Sequence, residues 1–136
     1  MHLEFVVPGP PISNQSPGAS LQAWRATVRA AAQAQWTRPT LNGNLRGIVI
    51  NFHGGQKPTL DVDNMAKPIF DVMETIVYDD DRQIRQAELA HVEIGSAFVF
   101  VGVSQIITTA VQAGRQFVFV RIEDALDPYP LPQQIP

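Results

Sequence analysis

The sequence predicts an α+β domain in which one mixed β-sheet carries two main helices. Two observations favour this class. Five short runs rich in β-branched and aromatic residues are combined with two longer segments of helical apolar spacing, in the order β-α-β-α-β-β-β. The chain has 136 residues, of which 45% are apolar, and this is enough for one domain with one core.

The first half of the chain is predicted to form a strand, a helix and a second strand. The first strand covers residues 2–7 and ends at Pro8-Gly9-Pro10-Pro11, because proline removes backbone donors and fixes φ. A helix over residues 21–36 is rich in alanine and free of glycine and proline, with Ser20 as its cap. Its predicted buried face consists of Leu21, Trp24, Val28 and Ala31 or Ala32. The second strand covers residues 45–52.

A second helix is predicted over residues 64–76. Pro68 is tolerated only within about the first turn, so the helix is expected to start at or just after Asp63. The apolar residues at helical spacing are Met65, Ile69, Val72, Met73 and Ile76. The opposite face carries Asp63, Lys67, Asp71 and Glu74.

Three further strands are predicted, over residues 83–92, 97–103 and 116–122. The segment between the last two, residues 104–114, is compatible with a short helix or a loop. Four phenylalanines alternate along the last two strands, as core or dimer-interface residues do: Phe98, Phe100, Phe117 and Phe119. The domain is expected to span residues 1–126. Four prolines make residues 127–136 an extended or disordered tail.

Composition limits the environment and the partners. The chain has no cysteine, so disulfides and thiolate metal sites are excluded, and a reducing cytoplasm suits it. Its start has no cationic and apolar signal pattern, and the longest apolar run, residues 97–103, is too short to span a membrane. We therefore expect a cytoplasmic protein with no membrane partner.

The net charge of −3 is concentrated in one segment. Residues 1–60 carry five basic residues against one acid, for +4, whereas residues 61–81 carry seven acids against one lysine, for −6. Bound divalent cations would cancel much of this local charge. The acidic total is therefore weak evidence against a nucleic-acid partner.

The acidic segment contains a pattern typical of a metal site. In an extended approach to the second helix, Asp61 and Asp63 would point the same way. The helix then carries Lys67 and Asp71 on that side at steps of four, and an acid from Asp79-Asp80-Asp81 could close the group. Carboxylates without nearby histidine or cysteine favour magnesium, with manganese as a substitute. Lys67 could stabilise charge in a phosphoryl transition state or orient the attacking water.

Each part of this pattern also has an ordinary explanation. Asp63 could cap the helix while Asp61 favours the positive end of the helix dipole. Lys67 could form surface ion pairs at i,i+4 spacing with Asp63 and Asp71. Residues 79–81 could form a turn. Taken singly, each of these ordinary explanations is favoured. Seven acids within 21 residues of a weakly charged chain, however, favour a shared role in one metal site.

The spacing of these residues resembles a known family. Asp61-x-Asp63-Asn64-x-x-Lys67-x-x-x-Asp71, followed by Tyr78-x-Asp80-Asp81-x-Gln83-Ile84, is similar to the signature of RusA-type crossover-junction endodeoxyribonucleases. The segment from Phe5 to Pro11 also resembles the first strand and proline-rich turn of that family. The resemblance implies a RusA-like fold and a magnesium-dependent endonuclease. Such an enzyme acts as a homodimer and resolves four-way (Holliday) DNA junctions by paired nicks, in recombination and repair.

The resemblance also assigns residues. The essential acids fall on Asp61, Asp63 and Asp81, as catalytic residues and metal ligands, and the essential lysine falls on Lys67. Asp71 and Asp80 match further motif positions as candidate ligands, although Asp71 could instead orient Lys67. The position of these residues in a RusA-type motif implies a bacterial or phage-encoded protein. Asn64 and Gln83 resemble supporting positions.

The sequence is also compatible with other functions. The chain could be a nuclease of the same fold that acts on other branched DNA, or a non-catalytic module that binds DNA or a partner. For DNA binding, the candidates are Arg25, Arg29 and Lys57, although the two arginines could also be a solvated helix face. Trp36 is expected to pack in the core or, if exposed, to stack on a base. The histidines are expected to be surface or strand residues: His2, His53 and His91.

Overall fold

A computed structural model describes residues 1–96 and 101–136 of the chain. The described part contains one four-stranded sheet and three α-helices. The strands are β1 (Leu3–Pro8), β2 (Leu45–His53), β3 (Ile84–Glu93) and β4 (Phe117–Asp124), and the helices are α1 (Gly18–Gln35), α2 (Val62–Met73) and α3 (Gln105–Gln112). This arrangement confirms the predicted α+β class with one mixed sheet.

The sheet has the strand order β1-β4-β2-β3, in which β2 and β3 are parallel and the other two pairs are antiparallel. Side chains alternate between its two faces. On β2, Val49 belongs to a large core with α1 and α2, whereas Ile48 belongs to a smaller core with Ile107 of α3. Both main helices therefore cover one face of the sheet, and α3 covers the other.

The start of α1 corrects one prediction. The helix begins at Gly18 after Pro17, and no side chain caps it, so Ser20 lies inside the first turn and is not the cap. Proline at this position sets φ near the helical value without a cap hydrogen bond, which explains the earlier start. The predicted buried face is confirmed for Trp24, Val28 and Ala32.

The start of α2 corrects a second prediction. The helix begins at Val62 with Asp61 at the cap position, two residues before the expected start. Pro68 therefore lies in the second turn, where it cannot donate to the carbonyl oxygen of Asn64. The backbone N–H of Asn14, in the loop after β1, donates to that oxygen at 3.2 Å. This contact satisfies the acceptor and allows proline so deep in the helix.

The helix α2 ends at Met73 and not at residue 76, as the sequence had predicted. Thr75 has a φ of 68°, in the left-handed region, which ends the helix. The N–H of Val77 donates to the carbonyl oxygen of Met73 at 2.9 Å, and the N–H of Thr75 donates to that of Tyr78 at 2.7 Å. The chain thus turns back tightly, while Ile76 still packs against the core as predicted.

The last third differs from the predicted strands. Of the strand expected over residues 97–103, residues 97–100 lie outside the described part, and Val101 and Gly102 form a turn. Phe98 and Phe100 also lie outside the described residues. The segment left open as helix or loop forms α3, and the predicted last strand is β4. On β4, Phe117 and Phe119 are buried in the smaller core, which confirms their core assignment.

The end of the chain has little regular structure. Residues 125–136 contain neither helix nor strand, and Leu131 and Ile135 are largely exposed. The division into a domain of residues 1–126 and a tail of residues 127–136 remains a prediction. Within the described residues, no helix has both the length and the apolar character needed to cross a bilayer.

The contact between α2 and β2 depends on a glycine. A Cβ atom added at Gly47 would lie 2.6 Å from two ring carbons of Phe70, closer than real Cβ contacts allow. Phe70 is next to Asp71 on α2. The small residue at position 47 therefore sets how closely α2, with its acidic face, packs against the sheet.

We predict that Gly47→Ala lowers the free energy of unfolding by about 1–3 kcal/mol, because overpacking forces a helix or a ring to shift. Chemical denaturation measures this loss. Gly54→Ala is the matched control, since nothing lies within 4 Å of its added Cβ. Combining Gly47→Ala with Phe70→Leu should recover part of the loss. Equal stability of the Gly47 and Gly54 variants would contradict the steric account.

Candidate active site

The outer face of α2 holds a lysine between two acids. The Nζ atom of Lys67 donates a hydrogen bond to Oδ1 of Asp71 at 3.1 Å and lies 3.7 Å from Oδ2 of Asp81. The hydrogen bond with Asp71 is the main reason that the pKa of Lys67 is raised, and the Asp81 carboxylate adds to it. Lys67 is thus held as a cation at the meeting point of α2 and the turn that follows it.

The three consecutive acids of that turn have different partners. Asp79 accepts a hydrogen bond from the Thr40 hydroxyl at 2.7 Å. Both carboxylate oxygens of Asp80 accept from Arg82, whose hydrogen bonds lower the pKa of Asp80 to about 2. Asp81, the first residue of a short 3₁₀ helix (Asp81–Gln83), is the one that faces Lys67. The turn interpretation therefore fits Asp79 and Asp80, whereas Asp81 lies beside the face of α2 that carries Lys67.

Gln83 holds this turn in place. Its side-chain oxygen accepts from the backbone N–H groups of Asp79 and Asp80, at 2.9 and 3.0 Å. Its amide nitrogen donates to the carbonyl oxygens of Leu41 and Gly43, at 2.9 and 3.1 Å. One side chain thereby fixes the backbone that presents Asp81. This agrees with a supporting role for Gln83.

Three carboxylates converge at the end of α2. Each of Asp71, Glu74 and Asp81 offers an oxygen atom, and these atoms all lie within 4.8 Å of one another. All three residues are half-buried. Glu74 was not among the predicted site residues. The available signal was its spacing of three from Asp71, which places both on one helix face.

Asp61 and Asp63 lie at the other end of α2. Asp61 is at the cap position, but its side chain makes no capping hydrogen bond, and Asp63 is in the first turn. The expected extended segment that points both acids one way is therefore wrong, because the helix starts at Val62. Both acids are exposed, and neither belongs to the three-carboxylate group of the described residues. The cap explanation for Asp63 is also wrong.

The first helix places a second positively charged side chain at this site. The Nη2 atom of Arg25 lies 3.7 Å from Oδ2 of Asp71, and the buried Nε atom of Arg25 has no hydrogen-bond partner in the described part of the chain. Arg29, one turn later, lines a cavity of about 470 Å³ with Asp71 and Glu74. Two arginines of α1 therefore border the acidic face of α2.

Lys57 lies elsewhere, in the loop between β2 and α2. It is exposed and lines a cavity of about 510 Å³ together with Asn51 and Leu60. Trp36 is buried, and its indole N–H donates to the carbonyl oxygen of Pro39 at 3.2 Å, so it packs in the core as expected. Among the basic residues expected to bind DNA, Arg25 and Arg29 lie beside the carboxylates, and Lys57 borders a different cavity.

Comparison with known proteins agrees with this geometry. The family model described as Endodeoxyribonuclease RusA matches residues 14–104 of the 136-residue chain. The matched segment runs from the loop after β1 through β3, so it includes Lys67, the acids on both ends of α2 and the turn with Asp81. A search of curated proteins finds no match. Because the family model covers more than half of the chain, this protein belongs to the RusA endodeoxyribonuclease family.

Proposed function

We propose that this endodeoxyribonuclease cuts four-way (Holliday) DNA junctions by paired nicks, with a divalent cation, in DNA recombination and repair. The observation that carries the proposal is the position of Lys67 between Asp71 and Asp81, inside a group of three converging carboxylates. A lysine beside several carboxylates suits metal-assisted hydrolysis of a phosphodiester, because the carboxylates offer oxygen ligands for a cation and the lysine offers a fixed positive charge.

The donor set fits magnesium, with manganese as a substitute. Carboxylate oxygens within 4.8 Å of one another can share one hard cation. When bound, such a cation polarises a phosphate oxygen and lowers the pKa of water. We propose Asp81, Asp71 and Glu74 as ligands of this cation. Asp61 and Asp63 lie outside this group at the other end of α2, and we propose them as metal ligands on the family resemblance alone. We leave out Asp80, because both of its oxygens already accept hydrogen bonds from Arg82.

Lys67 has a chemical role of its own in this proposal. Its Nζ atom has three donors and uses one for Asp71. The raised pKa keeps it protonated, so it can donate to a phosphate oxygen as negative charge develops there. Asp71 then has two functions, since it positions Lys67 and also offers an oxygen to the carboxylate group. The sequence left open whether Asp71 is a metal ligand or orients Lys67, and in this proposal it does both.

Positive charge for the DNA backbone comes from α1 in this proposal. Arg25 and Arg29 border the carboxylates, so a phosphate next to the scissile one could contact them. Lys57, on the loop before α2, would contact phosphate farther along the strand. The protein would bind a four-way junction as a homodimer, because a two-fold enzyme can place two equal sites on a nearly two-fold substrate. The family resemblance further supports a cytoplasmic protein encoded by a bacterium or a phage.

We predict that Asp81→Asn lowers junction cleavage by about 100-fold or more, because it removes a ligand charge and one partner of Lys67. Asp79→Asn is the matched control, since Asp79 belongs to the same turn but contacts Thr40. It should cleave at close to the wild-type rate. The measurement is single-turnover cleavage of a synthetic four-way junction in magnesium. Equal losses in the two variants would contradict a special role for Asp81.

We also predict that junction binding depends strongly on divalent cations. The segment 61–81 carries −6, which repels phosphate unless cations are bound. Affinity should be clearly higher in calcium than in EDTA, and calcium should permit binding without cutting. The monovalent-salt slope should stay modest, because each Lys or Arg contact adds about one unit. Gel shifts across a salt series measure both. Equal affinity in EDTA and calcium, with a steep slope, would contradict this charge distribution.

A further inference from the structure

A polar pair, the buried Asn51 and the half-buried His91, lies under the loop that leads to Asp61. Among the described residues, Asn51 of β2 is the one polar side chain in the buried core, with 1% of its surface exposed. Its register partner on the neighbouring parallel strand β3 is His91. The Nδ2 atom of Asn51 and the Nδ1 atom of His91 lie 3.0 Å apart. Burial of an amide costs free energy unless it is hydrogen-bonded, so such a pair needs a reason.

The second nitrogen of His91 contacts the backbone of the loop. Its Nε2 atom lies 2.9 Å from the carbonyl oxygen of Leu60. A carbonyl oxygen only accepts, so Nε2 must carry the proton. Nδ1 of the neutral ring is then an acceptor, which matches the amide N–H of Asn51. The two contacts together define one tautomer and one ring orientation.

The carbonyl group of Leu60 belongs to the peptide unit that begins Asp61. A peptide unit is planar, so the direction of that carbonyl oxygen restricts where the N and Cα atoms of Asp61 can lie. The side chain of Asp61 makes no capping hydrogen bond of its own. The loop from Gly54 to Leu60 also contains no helix or strand that would fix it. The hydrogen bond from His91 therefore restrains the peptide unit that enters Asp61. The helix restrains the peptide unit that leaves it, because the N–H of Met65 donates to the carbonyl oxygen of Asp61 at 3.0 Å.

We propose that His91 is a positioning residue for the metal site, which acts through the carbonyl oxygen of Leu60 to hold Asp61 and is itself oriented by Asn51. This inference rests on the proposed function, because it assumes that Asp61 is a metal ligand. His91 does not touch the cation or the DNA. A residue that fixes a ligand from outside contributes to metal affinity, and its loss commonly weakens binding by about 10–100-fold.

The test compares variants of two neighbouring histidines. His91→Leu removes both contacts, whereas His91→Gln keeps an amide donor for Leu60. His53→Leu is the matched control, because the Nδ1 atom of His53 contacts the carbonyl oxygen of the adjacent Gly54. Manganese affinity of the protein alone is measured by electron paramagnetic resonance, and circular dichroism with thermal unfolding checks the fold. Junction cleavage across a manganese series gives the half-saturation concentration.

We expect His91→Leu to bind manganese about 10–100-fold more weakly with a native fold. His91→Gln should recover part of this loss, and His53→Leu should behave as wild type. A folded His91→Leu protein with wild-type manganese affinity would overturn the inference, as would equal losses in the Leu and Gln variants or in the His53 control. If wild-type protein binds no manganese, the proposed function itself fails.

A second measurement covers the case in which His91→Leu does not fold. Nitrogen-15 chemical shifts of the imidazole in the wild-type protein distinguish the two tautomers. The proposal requires a proton on Nε2 and a hydrogen-bonded lone pair on Nδ1 of His91. A ring with its proton on Nδ1, or one that averages between tautomers, would overturn it.

Discussion

The hydroxyl group of Tyr78 donates to the carbonyl oxygen of Phe70 at 2.6 Å, in a position where the tyrosine has no exposed surface. Burial raises the pKa of Tyr78, so the hydroxyl stays protonated and remains a donor. This bond ties the segment after α2 to the helix itself. Together with the left-handed Thr75, it returns the chain so that Asp81 lies beside Lys67. Without this return, the acids of α2 and those of the turn would be separate surface groups.

The site combines attraction and repulsion in a small space. Three carboxylates converge, and Lys67 and Arg25 each contact Asp71. These two positive charges lower the repulsion among Asp71, Glu74 and Asp81, which favours formation of the group. Lys67 and a divalent cation would then compete for the same oxygens of Asp71 and Asp81. In our account, the additional acids at the start of α2 favour the cation, and this is why the position of Asp61 matters.

The sequence predicted the class of fold and most elements, because apolar periodicity reflects which face of an element is buried. The prediction failed at both ends of α2, where a distant contact or an uncommon backbone conformation overrides a local rule. The start of α2 was predicted two residues too late, because Pro68 was expected only in the first turn. Pro68 leaves the carbonyl oxygen of Asn64 without its helical donor, and the N–H of Asn14, some fifty residues earlier in the chain, donates to it instead. The end of α2 was misplaced because Thr75, a β-branched residue, adopts a positive φ that its type disfavours.

The candidate site was predictable in part. The motif spacing identified Lys67, Asp71 and Asp81, which the structure brings together. It did not single out Glu74, because position 74 is not part of the family motif, and it did not separate Asp80 from Asp81. Asp80 and Asp81 differ because of their contacts with Arg82 and Gln83. The spacing of residues along the sequence does not predict where these two side chains point. The pair of Asn51 and His91 depends on strand register, which the sequence also does not reveal.

The most direct measurement of the central claim is the position of manganese in crystals of the wild-type protein, from its anomalous scattering. Our account predicts a peak within bonding distance of Asp81 and of at least one other carboxylate among Asp61, Asp63, Asp71 and Glu74, with Lys67 beside it. An ordered manganese ion that contacts none of these carboxylates, in crystals of protein that cleaves junctions, would contradict the account.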